Sequence, residues 1–249
     1  MTSPTPGGLL HAAAGDGRTL LSAAETRWDR PVPHCPEWDA AELVRHTGAI
    51  LAWMAAVVSS GQRVARCTLA PAPDDPAELA QWYLANLDRT VNILRSADPE
   101  VETWTFSPAG DRRVAWWQRR LAVEIAIHRW DVEDAVATGG GPPAAPLDAD
   151  VASAGAQEFM VEFLPGLLSA EAAATPGGTL HLHATDGPTQ WWVDLGAGGT
   201  AVAEHRRADT TIRATRSDLL LWLTNRCTPE ALDIVGRHEI LDRWQQLSR

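Results

Sequence analysis

The first half of the chain repeats apolar positions with the period of an α-helix. Apolar side chains recur every three or four residues over four stretches, and turn-forming residues separate these stretches. The pattern predicts four helices, at about residues 8–28, 39–60, 77–96 and 114–138. The second helix has a clear start signal, because Asp39 can cap it and Glu42 lies three residues later. Four helices with short to moderate connections are typical of a bundle.

The second half of the chain has a different pattern. A helical period covers about residues 148–168, and short runs with a period of two then predict strands, which we expect to pair antiparallel. These runs lie at residues 179–184, 190–195, 200–204 and 210–214. Two more helical stretches, at about residues 215–223 and 239–247, make this half α+β.

The two halves predict a mainly α protein with an α+β second domain. The segment Gly139–Pro143 is rich in glycine and proline and predicts an interdomain linker, with a surface loop as the alternative. We expect a four-helix bundle over residues 1–138, a linker over 139–147 and the α+β domain over 148–249. A chain of 249 residues is long enough for two ordinary domains.

Three residues that can bind metal interrupt the apolar seams of the predicted bundle. His46 interrupts the seam of the second helix, and Glu124 and His128 lie four residues apart on the seam of the fourth. A buried charge is costly unless it is paired or coordinates a metal. Three nitrogen and oxygen ligands suit zinc, and an open fourth position is typical of a catalytic site. Two alternatives stay open here: a hydrogen-bonded core histidine and a solvated Glu–His ion pair.

Other candidate residues give weaker signals. Asp131, three residues after His128, could orient that imidazole, but the pattern favours a carboxylate on the helix surface. Cys35 lies in the turn before the second helix, and we do not expect it to bind metal. His181 and His183 share one strand face, where exposure to solvent is favoured over a second metal site.

Composition and charge narrow the function. The net charge of −11 argues against a nucleic-acid surface, and the absence of lysine excludes a lysine Schiff base. The three cysteines are widely separated and odd in number, which favours a reducing compartment. The N-terminus lacks the pattern of a signal peptide, and the longest apolar run, Ile50–Val58, is too short to span a bilayer. We therefore expect a cytoplasmic protein that binds neither nucleic acid nor membrane.

Several segments resemble one known family. Residues 35–48 (CPEWDAAELVRHTG) and 124–131 (EIAIHRWD) are similar to the mycothiol-dependent maleylpyruvate isomerase family. Residues 218–226 (DLLLWLTNR) and 234–237 (IVGR) resemble the small C-terminal domain of that family. The resemblance spans nearly the whole chain, and it implies a DinB-like four-helix bundle followed by a sterol-carrier-like α+β domain.

The resemblance also implies a mechanism. It implies a zinc ion held by His46, Glu124 and His128, with the low-molecular-weight thiol mycothiol as the fourth ligand. Zinc holds a bound thiol as the thiolate. In the isomerase, the thiolate would add to the activated double bond of a cis-enoyl diacid, the resulting single bond would rotate, and elimination would return the trans isomer. The nucleophile is then an external thiol rather than a cysteine of the chain.

The same resemblance assigns Arg226 to substrate binding, because the matching arginine of the family faces the metal across the domain cleft. From the sequence alone, a favourable position at the end of a helix is the better explanation of this cation. Asn225 and Glu37 stand where the family usually has glycine, although asparagine tolerates a left-handed turn. Two alternatives to the isomerase therefore remain: a mycothiol S-transferase that acts on an electrophile, and a non-catalytic, metal-stabilised protein that binds a ligand or a partner protein.

Overall fold

The computed structural model describes residues 4–171, 177–196 and 199–247. These residues form two compact units, the first ending at Val151 and the second beginning at Ala152. The first is helical, and the second combines helices with a mixed sheet. The predicted fold class, mainly α with an α+β second part, is confirmed.

Four long helices build the first unit, close to the predicted ranges. They are α1 Pro6–Glu25, α2 Ala40–Ser60, α3 Pro76–Ser96 and α4 Val114–Thr138. A single 3₁₀ turn, Arg66–Thr68, lies between α2 and α3. Helix α1 packs most extensively against α4, and α2 packs against α3. The apolar seams predicted from the sequence form the interior of this bundle.

The start of α2 is fixed by the predicted cap. The Asp39 carboxylate accepts a hydrogen bond of 2.8 Å from the backbone N–H of Glu42, which satisfies one of the unpaired donors of the first turn. The helix ends at Ser60 and is capped by Gly61, whose φ of 69° is left-handed and favours glycine. These two signals set the frame of α2 and therefore the face on which His46 lies.

Helix α2 is also apolar along its length. By length and composition alone it could cross a membrane, and 56% of its most apolar stretch is buried in the structure. A core helix of a soluble protein passes the same test, so this feature is weak evidence for a membrane span.

The second unit begins within a helical segment and continues into the sheet. Helix α5, Ala149–Glu158, leads through a π-helical turn at Phe159–Phe163 into α6, Leu164–Glu171. Five strands follow in the described residues: β1 Thr179–Ala184, β2 Gln190–Asp194, β3 Ala201–Val202, β4 Thr210–Ala214 and β5 Asp233–Gly236. Helix α7, Arg216–Leu223, separates β4 from β5, and α8, Glu239–Leu247, follows β5.

The sheet has the strand order β3-β2-β1-β4-β5, and one prediction about it was wrong. Strands β1 and β4 pair in parallel, with Leu182 opposite Ile212, whereas we expected antiparallel pairing throughout. Alternation of apolar and polar residues shows which face of a strand is buried, but not the direction of its neighbour. The chain leaves the edge strand β3 and returns through residues 203–209 to run beside β1.

Strand β5 was not predicted. Only Ile234 and Val235 are strongly apolar in it, and no member of the strand is fully buried. An edge strand of four residues carries too little alternation to be distinguished from a loop. The core of the unit is instead formed by side chains from the helices and the central strands, among them Met160, Leu180, Ile212, Trp222 and Trp244.

Candidate metal centre

The structure brings His46, Glu124 and His128 together inside the bundle. The Nε2 atoms of His46 and His128 lie 3.6 Å and 3.4 Å from Oε1 of Glu124. One ligand atom from each residue lies within 4.8 Å of the other two. Zinc bonds of about 2.0–2.2 Å in a tetrahedron place ligand atoms roughly 3.3–3.6 Å apart. The separations of the two imidazole nitrogens from the carboxylate oxygen are therefore close to those that a zinc ion requires.

Two helices position these donors. Glu124 and His128 lie one turn apart on α4, and His46 projects from α2. The side chains of Glu124 and His128 are only 12% and 10% exposed, whereas His46 is 30% exposed. The cluster is thus buried on the α4 side and is accessible from the His46 side.

Asp131 supports one of the imidazoles. Its Oδ2 lies 3.0 Å from Nδ1 of His128, and the Asp131 side chain is fully buried. The favoured prediction, a carboxylate on the helix surface, was wrong, because residue 131 follows His128 by three positions and shares its buried face. In the neutral imidazole, a carboxylate on Nδ1 favours the tautomer in which Nε2 carries the lone pair, and Nε2 is the nitrogen that faces Glu124.

Arg120 supports the carboxylate. Its guanidinium donates a short hydrogen bond to Oε2 of Glu124, and the two side chains are 16% and 12% exposed. The other oxygen, Oε1, faces the two imidazoles. The sequence reasoning missed Arg120, although its position four residues before Glu124 on α4 was a usable signal.

The electrostatics of the cluster favour a charged carboxylate. Burial would raise the pKa of Glu124, but the charge of Arg120 and the hydrogen bonds to His128 and His46 outweigh it and hold the pKa well below its ordinary value. Burial would likewise lower the pKa of His128. Its hydrogen bonds to Asp131 and Glu124 instead raise that pKa to about 9. Glu124 therefore presents an ionised carboxylate to the two imidazoles.

The turn before α2 lines the same site. The Trp38 ring lies 4.4 Å from the His46 ring and 6.2 Å from the His128 ring, measured between centroids. The half-buried Cys35 has its sulfur within 4.8 Å of a His128 nitrogen and an Asp131 oxygen. This second group shares His128 but lies on its Asp131 side. Cys35 was not expected to bind metal, and that expectation stays untested.

One histidine of β1 is buried, contrary to the prediction. His181 is only 4% exposed, whereas we expected solvent exposure. Strand β1 is central in the sheet, and the rings of His183 and His205 lie 5.7 Å and 4.7 Å from the His181 ring. In the ranges that the structure describes, these histidines do not form a group with metal-ligand spacing; the two groups that do both contain His128.

Arg226 lies in the second unit, just after α7. Its Nη1 donates a 2.7 Å hydrogen bond to the carbonyl oxygen of Thr224, the residue that ends the helix. Asn225 has a φ of 61°, so asparagine does adopt the left-handed turn that the family builds with glycine. The contact with Thr224 matches the helix-end role of Arg226, and substrate binding by Arg226 stays a prediction.

Fold and cluster together define a class: a four-helix bundle with a buried His–Glu–His cluster, followed by an α+β unit. The family model of the mycothiol maleylpyruvate isomerase N-terminal domain matches residues 10–133. The family model of the C-terminal domain of the same isomerase (MDMPI C-terminal domain) matches residues 150–243. The chain belongs to the mycothiol-dependent maleylpyruvate isomerase family, as its sequence motifs indicated.

Solved structures share this fold. A crystal structure of a histidine-to-alanine mutant of the mycothiol-dependent maleylpyruvate isomerase aligns with a TM-score of 0.60 and 10% identity, covering 94% of this chain and 95% of the other. A second crystal structure of that isomerase aligns with a TM-score of 0.57 and 12% identity, covering 92% and 94%. Identity this low shows the fold alone. No curated protein matches the chain.

Proposed function

We propose that this protein is a zinc- and mycothiol-dependent enzyme that isomerises a cis-enoyl diacid to its trans form. The proposal rests on the geometry of the cluster, in which Nε2 of His128 and Nε2 of His46 lie 3.4 Å and 3.6 Å from Oε1 of Glu124. The residues fit zinc in donor type, spacing and burial. Family membership supports mycothiol as the thiol.

Residues around the cluster prepare it for a metal. Asp131 accepts a hydrogen bond from Nδ1 of His128 and so directs the Nε2 lone pair towards the site. Arg120 occupies the second oxygen of Glu124, which leaves Oε1 as the ligand atom. Trp38 packs against His46 and removes water from one side of that ring. A zinc ion bound here would keep the mycothiol sulfur as a thiolate. Addition of this nucleophile would turn the double bond of the substrate into a single bond that can rotate, and elimination of the thiolate would restore the double bond in the trans form.

We assign to Arg226 the role of binding the carboxylate group of the substrate. A planar guanidinium can bind a carboxylate through two parallel hydrogen bonds, which an ammonium group cannot reproduce. This assignment rests on the family resemblance; in the structure, the guanidinium donates a hydrogen bond to the carbonyl oxygen of Thr224.

A turnover screen on zinc-loaded protein tests the proposal. Maleylpyruvate, as a cis-enoyl diacid, and 1-chloro-2,4-dinitrobenzene, as a simple electrophile, are each assayed with and without mycothiol. The proposal expects isomerisation of the diacid only when the thiol is present. Conjugation of the electrophile without isomerisation would instead identify an S-transferase. Absence of turnover with both substrates would indicate a ligand-binding or partner-binding protein.

A further inference from the structure

A second pocket lies at the C-terminal end of α2. It has a volume of about 670 Å³, and its walls include Trp53, Trp104, Phe106, Arg63 and Arg66. Trp53 follows His46 by seven residues on the same seam, which places it about 10 Å further along the helix axis. None of the three residues of the His–Glu–His cluster lines this pocket. Its size is that of an ordinary small-molecule site.

The aromatic wall of the pocket is held in place by hydrogen bonds and ring contacts. The indole N–H of Trp53 donates to the carbonyl oxygen of Val64 over 2.8 Å, and that of Trp117 donates to the carbonyl oxygen of Trp104 over 2.8 Å. The Trp53 ring packs edge-on against the rings of Trp104 and Trp117. These contacts fix the orientation of the indoles that face the pocket.

Phe106 completes the wall and is unusual in its exposure. Its ring stacks on Trp53 at 6.0 Å with an angle of 19° between the planes. It is nevertheless 40% exposed. Among the residues that the structure describes, it is the one large aromatic side chain that is classed as exposed. An aromatic face of this kind at a pocket mouth suits a flat ligand that stacks on it.

Two cations border the same pocket. The guanidinium carbon of Arg66 lies 4.3 Å from the Trp53 ring centroid, and that of Arg63 lies 5.8 Å from the Trp104 ring centroid. Neither guanidinium group forms an ion pair or a hydrogen bond with any residue that the structure describes. In a chain with a net charge of −11, two adjacent cations without an acidic partner mark a local positive site.

We propose that this pocket binds a planar aromatic carboxylate. The aromatic ring would stack against Phe106 and the indoles, and the carboxylate would accept paired hydrogen bonds from Arg63 or Arg66. The stacked walls favour an aromatic ligand over an aliphatic one, and the unpaired guanidinium groups favour an anion over a neutral molecule. The site is separate from the His–Glu–His cluster and does not depend on the function proposed for that cluster.

Isothermal titration calorimetry of the full chain with 1-naphthoate tests the proposal. We expect saturable binding of about one molecule per chain, at least tenfold weaker in R63Q/R66Q because charge-assisted hydrogen bonds to the carboxylate are lost. The double variant R89Q/R95Q, which removes the same charge from exposed positions on α3, should bind as the wild type does. The neutral analogue 1-naphthamide should bind at least tenfold more weakly than naphthoate.

Two further variants keep the test decisive. Phe106→Ala removes an exposed ring, so the protein should stay folded, and its affinity for naphthoate should also fall. Glu124→Gln alters the metal cluster and should leave naphthoate binding unchanged. The proposal is overturned by an absence of saturable binding, by equal affinity in R63Q/R66Q and R89Q/R95Q, by equal binding of the amide, or by binding that is lost only in Glu124→Gln.

Discussion

At the scale of single residues, the cluster depends on groups that are not themselves ligands. His128 carries one nitrogen towards Glu124 and the other towards Asp131. The sequence identified the three ligand candidates because charged residues on an apolar seam are conspicuous. It offered Asp131 as a possible support but favoured surface exposure, and it missed Arg120, because a carboxylate or a guanidinium beside a helix seam is usually exposed. Only the packing of α4 in the bundle shows that Asp131 is fully buried and that Arg120 is partly buried beside Glu124.

The first prediction concerns Asp131. Replacing it with asparagine removes the anion that fixes the His128 tautomer, so we expect zinc affinity to fall by about 10–100-fold while the fold is kept. Competition with a chelator of known affinity measures this change. Asp134→Asn is the matched control, since Asp134 pairs with His34 outside the cluster. Equal zinc affinity in the Asp131→Asn variant and the control would show that Asp131 does not support the site.

The second prediction concerns Arg226. Arg226→Lys keeps the charge but loses the planar pair of donors, so turnover of a carboxylate substrate should fall by about tenfold or more. Zinc content and melting temperature should stay close to the wild-type values. Steady-state kinetics combined with thermal unfolding measures both properties. A lower melting temperature with normal kcat and KM would instead assign Arg226 to the end of α7, where it donates to the carbonyl oxygen of Thr224.

At the scale of helices and strands, the sequence predicted elements that carry a long periodic signal or a cap. Helix α2 begins at the residue after Asp39, and α4 has the predicted bounds, Val114–Thr138. Strand direction and short edge strands were not predictable, as the parallel pairing of β1 with β4 and the missed strand β5 show. Both depend on contacts between segments far apart in the chain, which local alternation does not encode.

The third prediction concerns the central strand β1. Burial, followed by the nearby charges of His205 and His183, lowers the pKa of His181 despite its hydrogen bond to Gln190. The unfolded chain therefore takes up a proton on this residue at a higher pH than the folded chain does. The corresponding stability is fully present above the ordinary histidine pKa of about 6.5 and is lost as the pH falls below it.

Urea unfolding between about pH 7.5 and about pH 5.5 measures this effect around the ordinary histidine pKa. We expect the free energy of unfolding to depend less on pH in His181→Gln than in the wild type. His238→Gln, at an exposed position of the same unit, is the control and should keep the wild-type dependence. If His181→Gln and the control show the same pH dependence, the buried imidazole is not the source of the effect.

At the scale of the whole molecule, the chain has a helical unit with a metal-type cluster and a second unit with a mixed sheet. Family models match both units. The cluster lies within the helical unit, whose interior is mainly apolar and includes Leu43, Trp117, Leu121 and Val132. Because this core is large, we expect the bundle to stay folded when the metal is removed.

The central claim is that His46, Glu124 and His128 bind zinc, and elemental analysis of the purified, zinc-loaded chain tests it most directly. We predict about one zinc ion per chain in the wild type and in His11→Ala, a histidine variant at an exposed position on α1. His46→Ala, Glu124→Ala and His128→Ala should each lose most of the metal while circular dichroism shows intact helices. A wild-type protein without zinc after loading, or full occupancy in all three variants, would contradict the account.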